Sequence, residues 1–417
     1  MFQVIATSWA LLLGMALLMM GNGLQATLMG VRGALEGFTT FELSIVTSAY
    51  FAGFLIGSRT TPWMIRRVGH VRVFAALASL ISATLILFPT ISDPWFWTVL
   101  RVVIGLGFSG VYVTAESWLN NAASNENRGR TLSAYMTVQM FGIVSGQAIL
   151  AMGDPAGFIV FIIPSVLVSV SFAPILLSVS PTPVFETAKP MGLGKLFRSS
   201  PLTLVGMALL GGLFAALLGM GSVYATRIGL GVGQVSSFVG AIFVGSMLFQ
   251  YPIGWLSDRL DRRKLILFLA AVGGVTSFIA FLWDGDFTFL LFVALVMGGT
   301  VNPLYSLLIA YLNDYLATDN MAAASGGLVF VNGLGAVGGP IVTGWLMELA
   351  GPRGFWLFIA ILLTALVCYA AYRMTQRAAV PADETGVYVS VLPTASPVAV
   401  EAAQEWAIEQ ADDADNV

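Results

Sequence analysis

Two charged residues of this chain sit where apolar sequence makes charge expensive. Arg101 lies inside a long apolar stretch, and Glu116 lies further along the same stretch. Such groups need a partner, a water-filled cavity or a charged ligand. At ~1.5 Å per helical residue they are roughly 22 Å apart, too far to pair with each other. Arg101 therefore reads as a structural hydrogen-bond donor, a contact for a solute, or part of a proton path. Its planar fork suits an anionic or strongly hydrogen-bonding group. Glu116 reads as a salt-bridge partner for Arg66, Arg67, Arg128 and Arg130, as a proton-carrying carboxylate, or as an interfacial acid.

A second set is uncharged. Asn22, Gln25, Tyr112, Gln139, Gln147, Tyr224, Gln250, Tyr251, Asn302, Tyr305 and Asn332 all fall within apolar stretches. Each amide there either glues helices together or lines a solute path. A third set is the run Asp258-Arg259-Leu260-Asp261-Arg262-Arg263. A carboxylate at the end of one helix can face the amide-rich start of another and join arginines in a network. Such a network would exist only with that face of the molecule shut. It is expected to set Asp258 against Arg130 and Thr131.

The elements carrying these residues are apolar. The chain is 57% hydrophobic and 10% charged, with a mean hydropathy of +0.86, more apolar side chain than a soluble domain could hide. Twelve stretches reach membrane-spanning length, at roughly 7–29, 42–64, 71–91, 95–118, 130–151, 158–180, 201–223, 235–256, 265–283, 288–310, 326–348 and 354–373. The first has no basic leader and no small-residue cleavage site, so it reads as a helix rather than a signal peptide. Of the nineteen Lys and Arg residues, fifteen fall on one side of this arrangement. Three (Arg32, Arg227, Arg353) fall on the other, and Arg101 lies within a span. That bias predicts an inner-membrane protein with both termini cytoplasmic.

The second half repeats the first with a shift of 193 residues. Gly105 maps onto Gly298, Tyr112 onto Tyr305, Asn127 onto Asn320, and Gly142 and Gly146 onto Gly335 and Gly339. A duplicated helix bundle is the signature of a secondary transporter whose halves rock about a central site. The charges break this symmetry: Arg101 maps onto Ala294 and Glu116 onto Ile309. The division expected is a six-helix bundle at 1–180, a cytoplasmic linker at 181–199, a second bundle at 200–373 and an acidic tail at 374–417. That tail carries eight acids against Arg377 alone, so disorder is expected there.

Gly254-x-x-x-Asp258-Arg259-x-Asp261-Arg262-Arg263 resembles the loop signature of the major facilitator superfamily, with Asp261 where its second Gly sits. A degenerate copy comes after the second span, Arg66-Arg67-Val-Gly69. The resemblance covers about residues 5–375 and implies an all-α membrane fold of twelve helices in two pseudo-symmetric bundles. Ser48-Ala-Tyr50-Phe51-Ala-Gly53, Glu116-Ser117, Asn127-Arg128-Gly129-Arg130 and Gly146-Gln147 narrow it to the YcaD-like branch.

Repeat, charge bias and resemblance together imply a secondary active transporter for a small organic solute, working by alternating access, ion (proton) coupled and monomeric. Drug or metabolite export by proton antiport is an alternative. It is weakened because the Gly-Pro pair is Gly339-Pro340 in the eleventh span and the first span has no acid. A sensor on the same scaffold is another. With one His and one Cys, most metal sites and a His-based triad are excluded. No phosphate-binding loop is present, so no cofactor, enzymatic activity or nucleic-acid partner is expected. The partners expected are the solute and the lipid bilayer.

Overall fold

A computed structural model describes residues 2–122, 128–177, 191–283, 285–316, 318–378, 380 and 385–415. The described chain is helical. In order the helices are α1 (Phe2–Leu35), α2 (Thr40–Val68), α3 (His70–Leu87), α4 (Pro94–Ala122), α5 (Arg128–Met152), α6 (Ile159–Ser171), α7 (Ala173–Leu177) and α8 (Leu193–Ser199). Then come α9 (Pro201–Ala215), α10 (Gly221–Arg227), α11 (Val232–Ser257), α12 (Arg262–Leu282), α13 (Phe287–Asn313), α14 (Thr318–Ala350), α15 (Gly354–Gln376) and α16 (Pro397–Asp415). They provide twelve helical spans long and apolar enough to cross a membrane, α6 with α7 making one and α9 with α10 another. A π-helical turn at Ala216–Met220 joins α9 to α10. Trp63, Phe141, Phe268 and Leu349 point outward from the helices, as a lipid-facing surface requires.

Caps place several helix ends. Thr39 Oγ1 accepts from the Glu42 amide (3.1 Å) and Glu42 Oε2 accepts from the Thr39 amide (2.7 Å), a capping box that starts α2. Asp286 Oδ1 accepts from the Phe289 amide (2.9 Å) at the start of α13. The turn from α2 to α3 needs positive φ, and Gly69 supplies it at +85°.

The repeat is visible as packing. α2 lies along α4 as α11 lies along α13, and α1 lies along α5 as α9 lies along α14. A β-carbon on Gly105 would collide with the Tyr50 carbonyl, and one on Gly298 with the Ile242 carbonyl. Glycine recurs at these repeat positions because two backbones touch there.

The two ends of the molecule differ. On the face opposite the arginines the halves are joined. Ser48 Oγ donates to Val337 O (2.5 Å), the Phe41 amide to Glu348 Oε1 (3.2 Å), and Arg227 Nη2 to Phe38 O (2.5 Å). On the arginine-rich face the C-terminal segment stands between them. Val391, Leu392, Val398, Ala399, Val400, Ala402 and Ala403 are buried, and α16 packs on α14, α4 and α5. The tail expected to be disordered is therefore ordered over 385–406. Its apolar residues are short and close together, and the acids Glu409, Asp412, Asp413 and Asp415 all come after them. Of the expected linker, 191–199 is described. It forms α8 and is pinned by the Met191 amide on Ala323 O (2.6 Å).

Candidate functional site

A cavity of about 90 Å³ lies where α1, α2, α4, α5, α9, α11 and α13 converge. Its polar wall is Asn22, Thr27, Tyr50, Arg101, Tyr112, Gln147 and Asn302. Phe51, Phe214, Phe243 and Leu218 supply apolar wall, and Leu392, Pro393 and Thr394 of the C-terminal segment complete it.

Arg101 is 4% exposed. Its guanidinium carbon stands 4.6 Å from the Tyr50 ring centroid, a cation–π contact that orients the fork. Nε and Nη1 find no protein acceptor, and no carboxylate pairs with the group among the described residues. Gln147 Nε2 donates to Gly23 O (2.7 Å), while its Oε1 has no protein partner. Asn302 Nδ2 donates to Ser246 Oγ (2.5 Å) and Asn22 Nδ2 to Tyr112 OH (3.2 Å). The wall thus offers cationic donors and an amide acceptor inside a largely apolar box. That is the usual make-up of a small-molecule pocket.

Glu116, also 4% exposed, accepts from Tyr135 OH (3.1 Å) at Oε1 and from the Ser396 amide (2.9 Å) at Oε2. It makes no ion pair with Arg66, Arg67 or Arg130 among the described residues. Arg66 and Arg130 are exposed, and Arg67 lies over Trp63 at 5.3 Å. The Arg128 side chain falls outside the described residues, as do Asn127 and Lys189. Asp258 takes Arg262 (3.6 Å) and the Tyr388 amide (2.9 Å) as its partners, not the start of α5. The interposed C-terminal segment accounts for this, since it holds the groups expected to meet across a shut face. Arg262 pairs with Asp314 at 2.5 Å and Arg263 with Asp261 at 2.9 Å, while Arg259 lies 4.2 Å over Trp255. Burial pushes the Asp261 carboxyl up, but hydrogen bonds and charge from Arg263, with Lys264, outweigh it and hold the group below the usual carboxylate value.

The sequence model of the Major Facilitator Superfamily matches residues 11–244 and 228–396. The chain belongs to that superfamily. Among its relatives is the uncharacterized MFS-type transporter YfkF of Bacillus subtilis (strain 168), 27% identical over 342 residues, covering 79% of this chain and 86% of the other. YcaD of Escherichia fergusonii is 25% identical over 355 residues, 84% and 91% of the two chains. In fold the chain is similar to the nucleoside transporter NupG (D323A mutant), with a TM-score of 0.77 at 15% identity over 88% of this chain and 99% of that one. It is also similar to a bacterial homolog of the human lysosomal transporter Spinster, in an inward-facing and occupied conformation. There the TM-score is 0.70 at 14% identity, covering 91% and 97%.

The chain is a multi-pass membrane transporter of YcaD-like type, with the all-α major facilitator fold. Within that frame, Asn22, Arg101, Tyr112, Gln147 and Asn302 meet at the cavity and the remaining candidates do not. Gln25, Gln139 and Tyr305 are buried away from it. Asn332 Nδ2 ties α14 to Met207 O (3.2 Å). Tyr224 stacks on Phe355 at 4.9 Å. Gln250 bonds Ser306 (3.1 Å) and Tyr388 (3.0 Å). Tyr251 is 81% exposed on the outer surface. Sequence reasoning missed Tyr50, Thr27, Ser306 and Asp314 as site residues. Only Tyr50 left a signal, a hydroxyl-bearing aromatic beside Phe51 in a run whose other members are small, Ser48-Ala-Tyr50-Phe51-Ala-Gly53.

Proposed function

We propose that this transporter carries a small organic solute bearing an anionic group, with Arg101 as its anchor. The observation behind this is the pair of unpartnered Arg101 N–H groups on the cavity wall. A buried guanidinium without a carboxylate leaves strong donors unused. Gln147 Oε1 adds an acceptor for a hydroxyl or amide on the same solute. The arginine bias supports an inner-membrane protein with its arginine-rich face in the cytoplasm. The structure then corresponds to a state closed to the outside. Alternating access would follow from making and breaking the α2–α14 and α5–α11 contacts, in a protein acting as a monomer.

Proton coupling is assigned to Glu116. It is the buried carboxylate within the described spans, and among the described residues Tyr135 and a backbone amide hold it.

The test is a thermal-shift screen of purified protein against small carboxylates, phosphates and their neutral analogues. Counterflow of the hit in proteoliposomes comes next. Anions should stabilise the protein and exchange across the membrane. Equal stabilisation by the neutral analogues would remove Arg101 from its role.

A further inference from the structure

The arginine-rich mouth of the cavity is filled by the chain itself, and the contacts are directional. Gly386 O accepts from Arg262 Nη2, and the Gly386 amide donates to Asp314 Oδ1 (3.2 Å). The Tyr388 amide donates to Asp258 Oδ1 (2.9 Å). Ser306 Oγ donates to Val391 O (3.0 Å) and accepts from the Val391 amide (2.9 Å). All of these anchors belong to the second half. Five residues on, the Ser396 amide crosses to Glu116 in the first half (2.9 Å). Gln404 then takes a hydrogen bond from Ser325 Oγ (2.6 Å) and gives one to Asn313 Oδ1 (3.0 Å).

We propose that residues 386–406 are an autoinhibitory plug, bound in the cavity mouth as an intramolecular peptide ligand. While docked, the segment blocks solute entry from the arginine-rich face and prevents that face from shutting. The reason is competition for the same groups. Glu116, Asp258 and Arg262 are the groups that the sequence reading expects to link the halves across a shut face, and here they hold the backbone of the segment. Docking and closure therefore exclude each other. Long-range charge favours docking, because the segment runs on into the acids Glu409, Asp412, Asp413 and Asp415 and the sequence assigns fifteen of the nineteen basic residues to this face. Its strength should fall as salt rises. The hydrogen bonds within the mouth are sheltered and set the register.

The experiment needs no solute. Cys368 is the only cysteine, so Cys368→Ser gives a thiol-free background, and Asn302→Cys places one reporter on the cavity wall. Membrane vesicles of each orientation are treated with a membrane-impermeant maleimide. Losing several sheltered hydrogen bonds should speed labelling about tenfold or more when the chain stops after Arg377. Adding a synthetic peptide of residues 385–410 to the truncated protein should slow it again. A full-length variant, Tyr388→Ala with Val391→Pro, removes a wedge and an amide donor without shortening the chain. It should accelerate labelling in the same direction, and it carries the test if the truncated chain does not fold. Unchanged labelling in the full-length variant overturns the proposal, as does a truncated chain labelled no faster than the parent. Neither result bears on whether the solute is an anion.

Discussion

The two halves of this transporter agree where backbones touch and disagree where charge is buried. Gly105 and Gly298 occupy equivalent close contacts, the first against Tyr50 and the second against Ile242. Arg101 and Glu116, by contrast, face Ala294 and Ile309 at the repeat-related positions. Both of those are buried apolar residues. Packing two helices at van der Waals distance makes the same demand in each copy, so duplication preserves it. The buried charges proposed to bind the solute and carry the proton, Arg101 and Glu116, both lie in the first half. On the function proposed above, symmetry marks the scaffold and its failures mark the groups assigned to solute and proton.

The largest expected effect comes from breaking the shared part. Gly298→Leu drives a side chain into the Ile242 carbonyl, and neither backbone can yield cheaply. Overpacking of this kind costs about 1–3 kcal/mol or more. The variant, like Gly105→Leu, should show strongly reduced thermal stability in detergent. A normal melting profile for either would show that the helices do not need that approach.

Next come the unmatched charges. Arg101→Gln removes charge-assisted hydrogen bonds worth about 1.5–3 kcal/mol, so affinity for an anionic solute should fall roughly tenfold to a hundredfold. Ala294→Ser, at the mirror position, should leave affinity unchanged. Glu116→Gln should preserve counterflow, which needs no net proton movement, and abolish proton-driven accumulation. Loss of both would place Glu116 in the structure of the mouth rather than in coupling.

The smallest effect concerns the two loop copies. Asp261 caps α12 by accepting from the Arg263 amide (3.0 Å), whereas Gly69, ahead of α3, makes no side-chain cap. Asp261→Ala should lower stability by ~1 kcal/mol at neutral pH. The Asp261 carboxyl is held below its usual value. Its contribution is therefore present above the unfolded carboxylate range, near ~3.9, and lost as pH falls through the lower folded value. A melting difference that persists at low pH would assign the loss to packing instead.

Much of the fold was legible because lipid imposes a simple rule on every span. The helices overrun the apolar windows, as with α2 at Thr40–Val68 against an expected 42–64, because helices continue beyond the apolar core they cross. The site was legible only in part. Arg101 announced itself as a charge in apolar sequence, but its contact with Tyr50 joins residues far apart in the chain and on different helices. The amides could not be sorted from sequence, since Asn332 as helix glue and Asn302 as cavity wall look alike in an apolar run. The C-terminal segment departs from the expected disorder for a physical reason. Its order comes from a short apolar cluster and from side chains of other helices that bond its backbone, and net composition averaged the first away and cannot show the second.

If asymmetry marks the solute site, binding must depend on Arg101. Affinity of the parent and of Arg101→Gln should be measured for one anionic hit and for its neutral analogue. The anion should lose at least about tenfold in affinity and the analogue should change little. Equal losses for both compounds, or none for either, would contradict that dependence.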